Sequence, residues 1–342
     1  MDINFRQGNP LEITSDCLIV GIFEGEEFSS DLLNEANQAF DNSLEDLNSQ
    51  GELVGKTGNS TLIHTLGKSS PIRLLFVGLG KRDAMTEKAV TEVLGASFRK
   101  ARSIGASIAA IAVDTFCTEE IKAERIVELV TLSAINGLYR YEDHISEKSD
   151  KAISEVLIIM EIPAEVNVSS YTAIADAINL ARDLANAPAN HMTPTILAGV
   201  AEREAQENNL GFELIDEDKM KEFGMGSLLG VAQGSIEPAY MIVMKYEGDK
   251  DNPNDSIALI GKGITFDSGG LSLKPPIGMT TMKGDMAGGA AVIGALTAIA
   301  KLNLNINVYG IVAATENMPG GQAQRPGDVV TAMNGTTIEV LN

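Results

Sequence analysis

Three charged side chains in one glycine-rich stretch have the strongest potential for chemistry. Lys262 follows an apolar strand-like run that begins at Ile257, Asp267 precedes two glycines, and Asp285 lies beside another glycine further along. A charge set among apolar residues needs a partner or a metal ion once it is buried. Two carboxylates close to lysines offer the ligands that a hard or borderline divalent ion takes. The stretch therefore predicts a divalent metal site.

Each of these charges also has a purely structural interpretation. Asp267 can form a turn with the N–H of the residue two positions on, and Asp285 can cap the N-terminus of the helix that follows it. Lys262 can be a surface lysine where a buried strand ends, which is also the usual place for ligands in an open α/β sheet. Spacing alone does not decide between a metal site and these structural roles.

Other kinds of catalytic or binding site have no support in the sequence. No Gly-x-Ser-x-Gly motif is present, and Cys117 has no evident base near it. The three histidines His64, His144 and His191 lie far apart and lack the spacing of a zinc site. The glycine turn at 76–81 lacks the third glycine of a dinucleotide-binding loop. Nucleophilic catalysis and nucleotide binding are therefore disfavoured.

Composition and charge indicate a globular, acidic, cytoplasmic protein. The 342 residues are enough for two domains, and 26 Lys and Arg stand against 47 Asp and Glu, a net charge of −21. That charge repels nucleic acid and anionic membranes. One pair of cysteines, Cys17 and Cys117, fits a reducing compartment, and the first residues do not resemble a secretory signal. The uncharged run 286–300 is shorter than the ~20 residues of a membrane span, so we expect a buried helix and no membrane association.

Strand and helix patterns alternate along the whole chain, which predicts an α/β fold. A Pro-containing, non-periodic segment at 162–170 divides the chain into an N-terminal domain, residues 1–165, and a second domain, residues 166–342. Each domain is predicted to hold a mixed, mostly parallel sheet flanked by helices. The principal elements expected are strands at 17–23, 73–78, 108–113, 156–160, 212–216, 240–246, 257–261 and 306–313, and helices at 30–47, 86–103, 119–139, 171–186, 194–208, 217–223 and 286–302.

The glycine-rich stretch closely resembles the active-site motifs of the leucyl (cytosol) aminopeptidase family, whose members are metallopeptidases with two metal ions. The matching segments are 261–270, 272–275 and 282–288, with further family-like segments at 181–188, 316–319 and 325–329. The resemblance covers about residues 171–342. Residues 1–165 are similar to the family's variable N-terminal domain in pattern only.

The resemblance implies a role for each matched residue. Lys262, Asp267 and Asp285 would be metal ligands, and Lys274 would be the catalytic lysine that binds the substrate carbonyl oxygen. Met282 would line the pocket for the first side chain of the substrate. The family implies two divalent ions per subunit, Mn²⁺ or Zn²⁺, peptide substrates with Leu-like N-terminal residues, and a homohexamer.

The chain stops at Asn342, the first residue of the family's Asn-Thr-Asp-Ala-Glu-Gly-Arg motif. The resemblance therefore implies that the second domain and its metal site are incomplete, and we expect this chain to be an inactive fragment of a longer aminopeptidase. The alternative is a non-catalytic binding or structural protein that kept the fold after losing part of the site. Some relatives also act as DNA-binding regulators through the N-terminal domain, but the net charge of −21 argues against DNA binding here.

The gene sequence beyond Asn342 separates these two interpretations. We expect it to encode Thr-Asp-Ala-Glu-Gly-Arg, which supplies the remaining acidic ligands that the resemblance implies. Sequencing the genomic locus is the measurement, and a stop codon directly after Asn342 would favour the non-catalytic alternative.

Overall fold

The computed structural model describes residues 1–26, 28, 30–161 and 167–341. The chain divides into two compact units, Met1–Ala175 and Asp176–Asn342. The domain boundary expected between residues 165 and 166 falls at a segment, 162–166, that lies outside the described residues. The position of that boundary stays a prediction, and each unit is described by itself below.

The first unit is built on a six-stranded sheet. Its strands lie in the order β1-β6-β5-β2-β4-β3, and all neighbours are parallel except the β3–β4 pair. The strands are β1 (Asp2–Gln7), β2 (Cys17–Phe23), β3 (Ser60–His64), β4 (Arg73–Gly80), β5 (Ile108–Ala112) and β6 (Glu155–Met160). This mostly parallel sheet is the arrangement predicted from the alternating pattern.

Helices cover both faces of this sheet, because successive strand side chains point to opposite faces. Ile19 and Ile111 pack on one face with the helices that follow β4 and β5, whereas Leu18 and Ala110 pack on the other. The helices are α1 (Asp31–Ala39), α2 (Ser43–Ser49), α3 (Glu87–Ser103) and α4 (Ala123–Leu138). Strands covered on both faces explain the near-continuous apolar runs seen in the sequence.

One helix predicted in the first unit is two helices in the structure. The pattern at 30–47 predicts a single helix, but the chain turns between α1 and α2, where Asp41 and Asn42 adopt positive φ values of 55° and 64°. Short polar side chains of this type tolerate the left-handed conformation and so break a helix.

The second unit contains a mixed sheet in the order β7-β8-β10-β9. Its strands are β7 (Gly211–Ile215), β8 (Tyr240–Glu247), β9 (Ile257–Asp267) and β10 (Asn307–Asn317), and a separate two-stranded sheet pairs β11 (Val329–Thr331) with β12 (Thr337–Glu339). The helices are α5 (Ser169–Asn186), which spans the division between the units, α6 (Pro194–Glu207), α7 (Glu217–Glu222), α8 (Gly226–Ala232), α9 (Pro276–Met279) and α10 (Ala287–Leu302).

The α/β class is confirmed, but the described part of the second sheet is not mostly parallel. Only β9 and β10 pair in parallel, whereas β10–β8 and β7–β8 are antiparallel. The reason lies in the connections. The link from β8 to β9 contains no helix and nine residues, fewer than the dozen or more that a parallel crossover needs. The link from β9 to β10 contains α10 and forms the parallel βαβ unit.

Three glycines allow α10 to approach β9 closely. A Cβ on Gly261 would lie 2.5 Å from the carbonyl oxygen of Gly288 and 2.7 Å from the Cα of Gly289. No side chain fits at this contact, so the N-terminus of the helix lies directly against the strand. The loop that precedes α10, with Asp285, is thereby held beside the middle of β9.

The apolar composition of α10 matches its place in the core. The stretch Pro276–Leu302 is long and apolar enough to cross a membrane by length and composition, yet half of its most apolar window is buried inside the protein. Val292, Ile293 and Leu296 are buried. A core helix passes the same test of length and composition, so this stretch is weak evidence for a membrane span.

Replacing Gly261 with alanine should destabilise the second unit. The new methyl group meets the backbone of α10 and forces the helix away from β9, which should lower the free energy of unfolding by about 1–3 kcal/mol. Urea denaturation measures the change. The control is Gly199→Ala on the exposed side of α6, where nothing lies within 4 Å, and there we expect a gain of about 0.5–1 kcal/mol. Equal stability of the two variants would contradict the close contact.

Candidate active site

The Asp267 carboxylate is buried at the candidate site and accepts three hydrogen bonds. Asp267 is the last residue of β9 and is 8% exposed. Its Oδ1 accepts hydrogen bonds from the backbone N–H of Gly269 at 2.9 Å and from Nδ2 of Asn317 at 2.7 Å, and its Oδ2 accepts one from Nζ of Lys274 at 2.7 Å. Burial raises the pKa of this carboxyl, but these three donors outweigh burial and hold the pKa below its usual value.

A tight turn brings Lys274 back to Asp267. The backbone N–H of Lys274 donates to the carbonyl oxygen of Ser268 at 2.9 Å, and Gly269 and Gly270 adopt positive φ values of 89° and 66°. A Cβ on Gly269 would collide with the carbonyl oxygen of Ser272. The paired glycines thus permit the turn. The hydrogen bond from the Gly269 N–H to Asp267 is the turn that the structural interpretation of Asp267 predicts. Asp267 forms this turn and the ion pair with Lys274 at the same time.

The second carboxylate, Asp285, lies beside Lys262. Asp285 Oδ2 is 2.7 Å from Nζ of Lys262, but this oxygen is buried and lacks a hydrogen-bond donor of good geometry within the described part of the chain. The contact is therefore an ion pair without a proper hydrogen bond. Asp285 does not cap α10, because Met286 is the N-cap residue and makes no side-chain cap bond. The capping interpretation is wrong.

Lys262 does not stand at a strand end. The predicted strand stops at residue 261, whereas β9 continues to Asp267 and pairs with β10 along its length. Gly261 and Gly263 indicate a strand end in the sequence, but they are required by close neighbours: Gly261 by α10, and Gly263 by the backbone of Ala313. The Lys262 side chain is 58% exposed, so its ammonium group faces solvent except at Asp285.

Met282 belongs to a short 3-10 turn, Met282–Gly284, and is half-buried. The turn is anchored by Lys283, whose Nζ donates to the carbonyl oxygen of Asn186 at 2.5 Å, the last residue of α5. The anchored residue lies directly after Met282 and two residues before Asp285. The role of Met282 in a substrate pocket stays a prediction.

The structure brings the predicted residues together as two lysine–carboxylate pairs, Lys274–Asp267 and Lys262–Asp285. Among the described residues, no group of three His, Cys, Asp or Glu side chains could hold a metal ion. A divalent ion would therefore need lysine nitrogen besides the two carboxylates. The buried Asp285 Oδ2 fits such an ion, since among the described residues it has the ion pair with Lys262 but no hydrogen bond of good geometry.

Asn317 is a polar contact of Asp267 that the sequence did not single out as a site residue. It lies in the segment 316–319 noted for its family resemblance, but only the pairing of β9 with β10 places it against Asp267. A possible signal was a polar residue at the end of an apolar strand.

The cysteines do not provide a nucleophile in the first unit. Burial raises the pKa of the Cys17 thiol to about 12 and that of the Cys117 thiol to about 11. Both thiols are therefore protonated near neutral pH, and a thiol is a poor nucleophile.

Asp267→Asn should lower the free energy of unfolding of the metal-free protein by about 1–3 kcal/mol at pH 7, because Lys274 loses its charged partner. The folded-state pKa of Asp267 lies below the value of about 3.9 for an unfolded chain, so its stabilisation is present above that value and is lost as the pH falls through the folded-state pKa.

Urea denaturation from pH 7 to pH 2.5 measures this effect, and the difference between the parent and Asp267→Asn should shrink at the acidic end. Asp251→Asn, which changes an exposed carboxyl, serves as the control. A difference that stays constant over this pH range would contradict the charged role of Asp267.

Comparison with known proteins matches both halves of the chain to one family. Residues 19–148 match the N-terminal domain of the cytosol aminopeptidase family, and residues 179–342 match its catalytic domain. Proteins described as probable cytosol aminopeptidases are similar over the whole chain: that of Nitrosomonas europaea is 37% identical over 351 residues, and that of Dechloromonas aromatica is 36% identical. The chain covers 70% of the length of each.

Solved structures agree with these sequence matches. A mutant of tomato leucine aminopeptidase superimposes on the whole chain with a TM-score of 0.89 and 28% identity, and this chain covers 68% of it. The bottromycin maturation enzyme BotP in complex with Mn gives a TM-score of 0.79 and 31% identity over 95% of this chain and 64% of that one. The predictions of the family and of a peptidase fold are confirmed: the chain belongs to the cytosol aminopeptidase family, a family of hydrolytic enzymes.

Proposed function

We propose that this chain carries the metal-binding part of an aminopeptidase that hydrolyses Leu-like N-terminal residues from peptides with the help of divalent ions. The observation that carries the proposal is the pair of partly buried carboxylates, Asp267 and Asp285, each against a lysine in one βαβ unit. Family membership supports the reaction class. The chain spans about 70% of the length of the curated relatives that it matches. The activity is therefore proposed for the complete gene product.

The proposed ligands are Lys262, Asp267 and Asp285, and the proposed ions are two per subunit, Mn²⁺ or Zn²⁺. The presence of Mn in the BotP structure supports a divalent ion of this type. Such ions would supply Lewis acidity and an activated water for hydrolysis of the peptide bond. Lys262 can act as a ligand only as the neutral amine, since a metal-binding nitrogen must be free of its proton. The lysine must then give up its ion pair with Asp285.

Lys274 is proposed to act directly on the substrate. Its ammonium group is fixed 2.7 Å from Asp267 Oδ2, and its side chain is 31% exposed, so it is both oriented and accessible. A fixed positive charge stabilises the negative charge that develops on a peptide carbonyl oxygen during attack by water. The short turn after β9 holds the backbone of this lysine in place before the substrate binds. Less conformational freedom is therefore lost on binding than for a lysine on a mobile segment.

The remaining proposals concern substrate, assembly and location. We propose that Met282 contacts the first side chain of the peptide, because a flexible, polarisable side chain suits a Leu-like group. A homohexamer and a cytoplasmic location follow from the family resemblance, and the relatives' description as cytosol aminopeptidases supports the location.

Hydrolysis of leucine p-nitroanilide tests the proposal. The complete gene product should release p-nitroaniline in the presence of Mn²⁺ and lose this activity after treatment with a chelator. Lys274→Ala should lower kcat by about 100- to 1,000-fold, because it removes a donor to the developing oxyanion. Asp267→Asn should abolish the metal-dependent activity. Lys301→Ala, at the exposed end of α10, is the matched lysine control and should leave the rate unchanged.

Full activity of Asp267→Asn would contradict the proposed site. Absence of activity in the complete gene product at saturating Mn²⁺ would favour the non-catalytic binding protein.

A further inference from the structure

A change of register between β9 and β10 brings Asn317 next to Asp267. Thr315 pairs with Ile264, but the next residue, Glu316, pairs with Phe266, so one residue of β9 is skipped. Without this bulge Asn317 would face Phe266, whose side chain points to the other face of the sheet. With it, Asn317 pairs with Asp267. Bulges of this kind re-aim side chains beside active sites.

Asn317 is held at both its main chain and its side chain. Its carbonyl oxygen accepts hydrogen bonds from the N–H and the Oγ of Ser268, at 3.0 Å and 2.7 Å. Its Nδ2 donates to Asp267 Oδ1 at 2.7 Å, and a Cβ on Gly270 would lie 2.8 Å from its Oδ1. The main-chain bonds do not depend on the side chain, so a substitution at this position leaves them in place and removes the hydrogen bond to Asp267.

The two oxygens of Asp267 have different partners. Oδ1 is taken by two neutral donors, the Gly269 N–H and the Asn317 amide, and Oδ2 is taken by the Lys274 ammonium. The two hydrogen bonds to Oδ1 set the rotation of the carboxylate group, and Oδ2 is thereby directed toward the Lys274 ammonium. A neutral amide does this without adding a positive charge that would repel a metal ion.

We infer that Asn317 is a positioning residue that orients the Asp267 carboxylate for binding a divalent ion; this inference rests on the proposed function. Carboxylates that ligate a metal are commonly held by such hydrogen bonds, and removing the partner typically weakens metal affinity by about 10- to 100-fold.

Titration with Mn²⁺ tests the inference, with free Mn²⁺ followed by its electron paramagnetic resonance signal. The complete gene product is first freed of metal with a chelator. Asn317→Leu and Asn317→Ala should each raise the Kd for Mn²⁺ by about 10- to 100-fold, and Asn317→Gln, which keeps the amide donor, should recover part of the affinity. The matched control is Ser235→Ala, which removes the 2.6 Å hydrogen bond to Glu316, the neighbouring residue on β10, and should leave the Kd unchanged.

Thermal unfolding in chelator separates positioning from simple folding. A structural role alone would lower the Tm of Asn317→Ala in chelator and leave its Kd for Mn²⁺ within twofold of the parent, a result that would overturn the inference. Asp267→Asn tests the site itself. If it removes Mn²⁺ binding while Asn317→Ala and Asn317→Leu do not weaken it, the proposed site stands and the positioning role fails. If the unsubstituted complete gene product does not bind Mn²⁺, both fail.

Discussion

The need to satisfy the buried charge of Asp267 governs the architecture around the site. A carboxylate that is 8% exposed is costly unless donors replace the lost water, and here three donors converge on it. Each donor depends on a separate backbone feature: the turn at Gly269, the return of Lys274, and the bulge that places Asn317. Gly269 and Lys274 lie in the turn directly after Asp267, whereas Asn317 is 50 residues away in sequence. Together these donors explain why this segment combines a long strand with two glycines at positive φ.

The second carboxylate depends on helix packing. Asp285 reaches Lys262 because the N-terminus of α10 lies against β9 at the contact of Gly261 with Gly288 and Gly289. A side chain at this contact would increase the separation between helix and strand and with it the distance between the two charges. The small residues of α10, which resemble a membrane span in composition, are thus explained by close packing in a βαβ unit.

The sequence predicted the α/β class and most elements closely, because strands buried on both faces and amphipathic helices carry strong patterns. β2 and the start of β4 were predicted at their observed positions. Predictions failed where tertiary contacts overrode local signals. The predicted strand stopped at residue 261 because glycines that are needed for packing resemble a strand end, whereas β9 continues to Asp267. The two antiparallel pairs of the second sheet depend on connections that a pattern of alternating elements does not reveal. Lys262, Asp267, Lys274 and Asp285 were predicted as site residues, whereas the contact of Asn317 with Asp267 depends on a bulge, which has no sequence signal of its own.

The most direct test of the account is anomalous X-ray diffraction at the manganese edge from crystals of the complete gene product soaked in Mn²⁺. The account predicts an anomalous peak in contact with carboxylate oxygens of Asp267 and Asp285, with the Lys262–Asp285 ion pair broken. The account would be contradicted if both lysine–carboxylate pairs stayed intact and no anomalous peak lay between them. The Mn²⁺ concentration for this test is one that saturates the metal sites of related aminopeptidases.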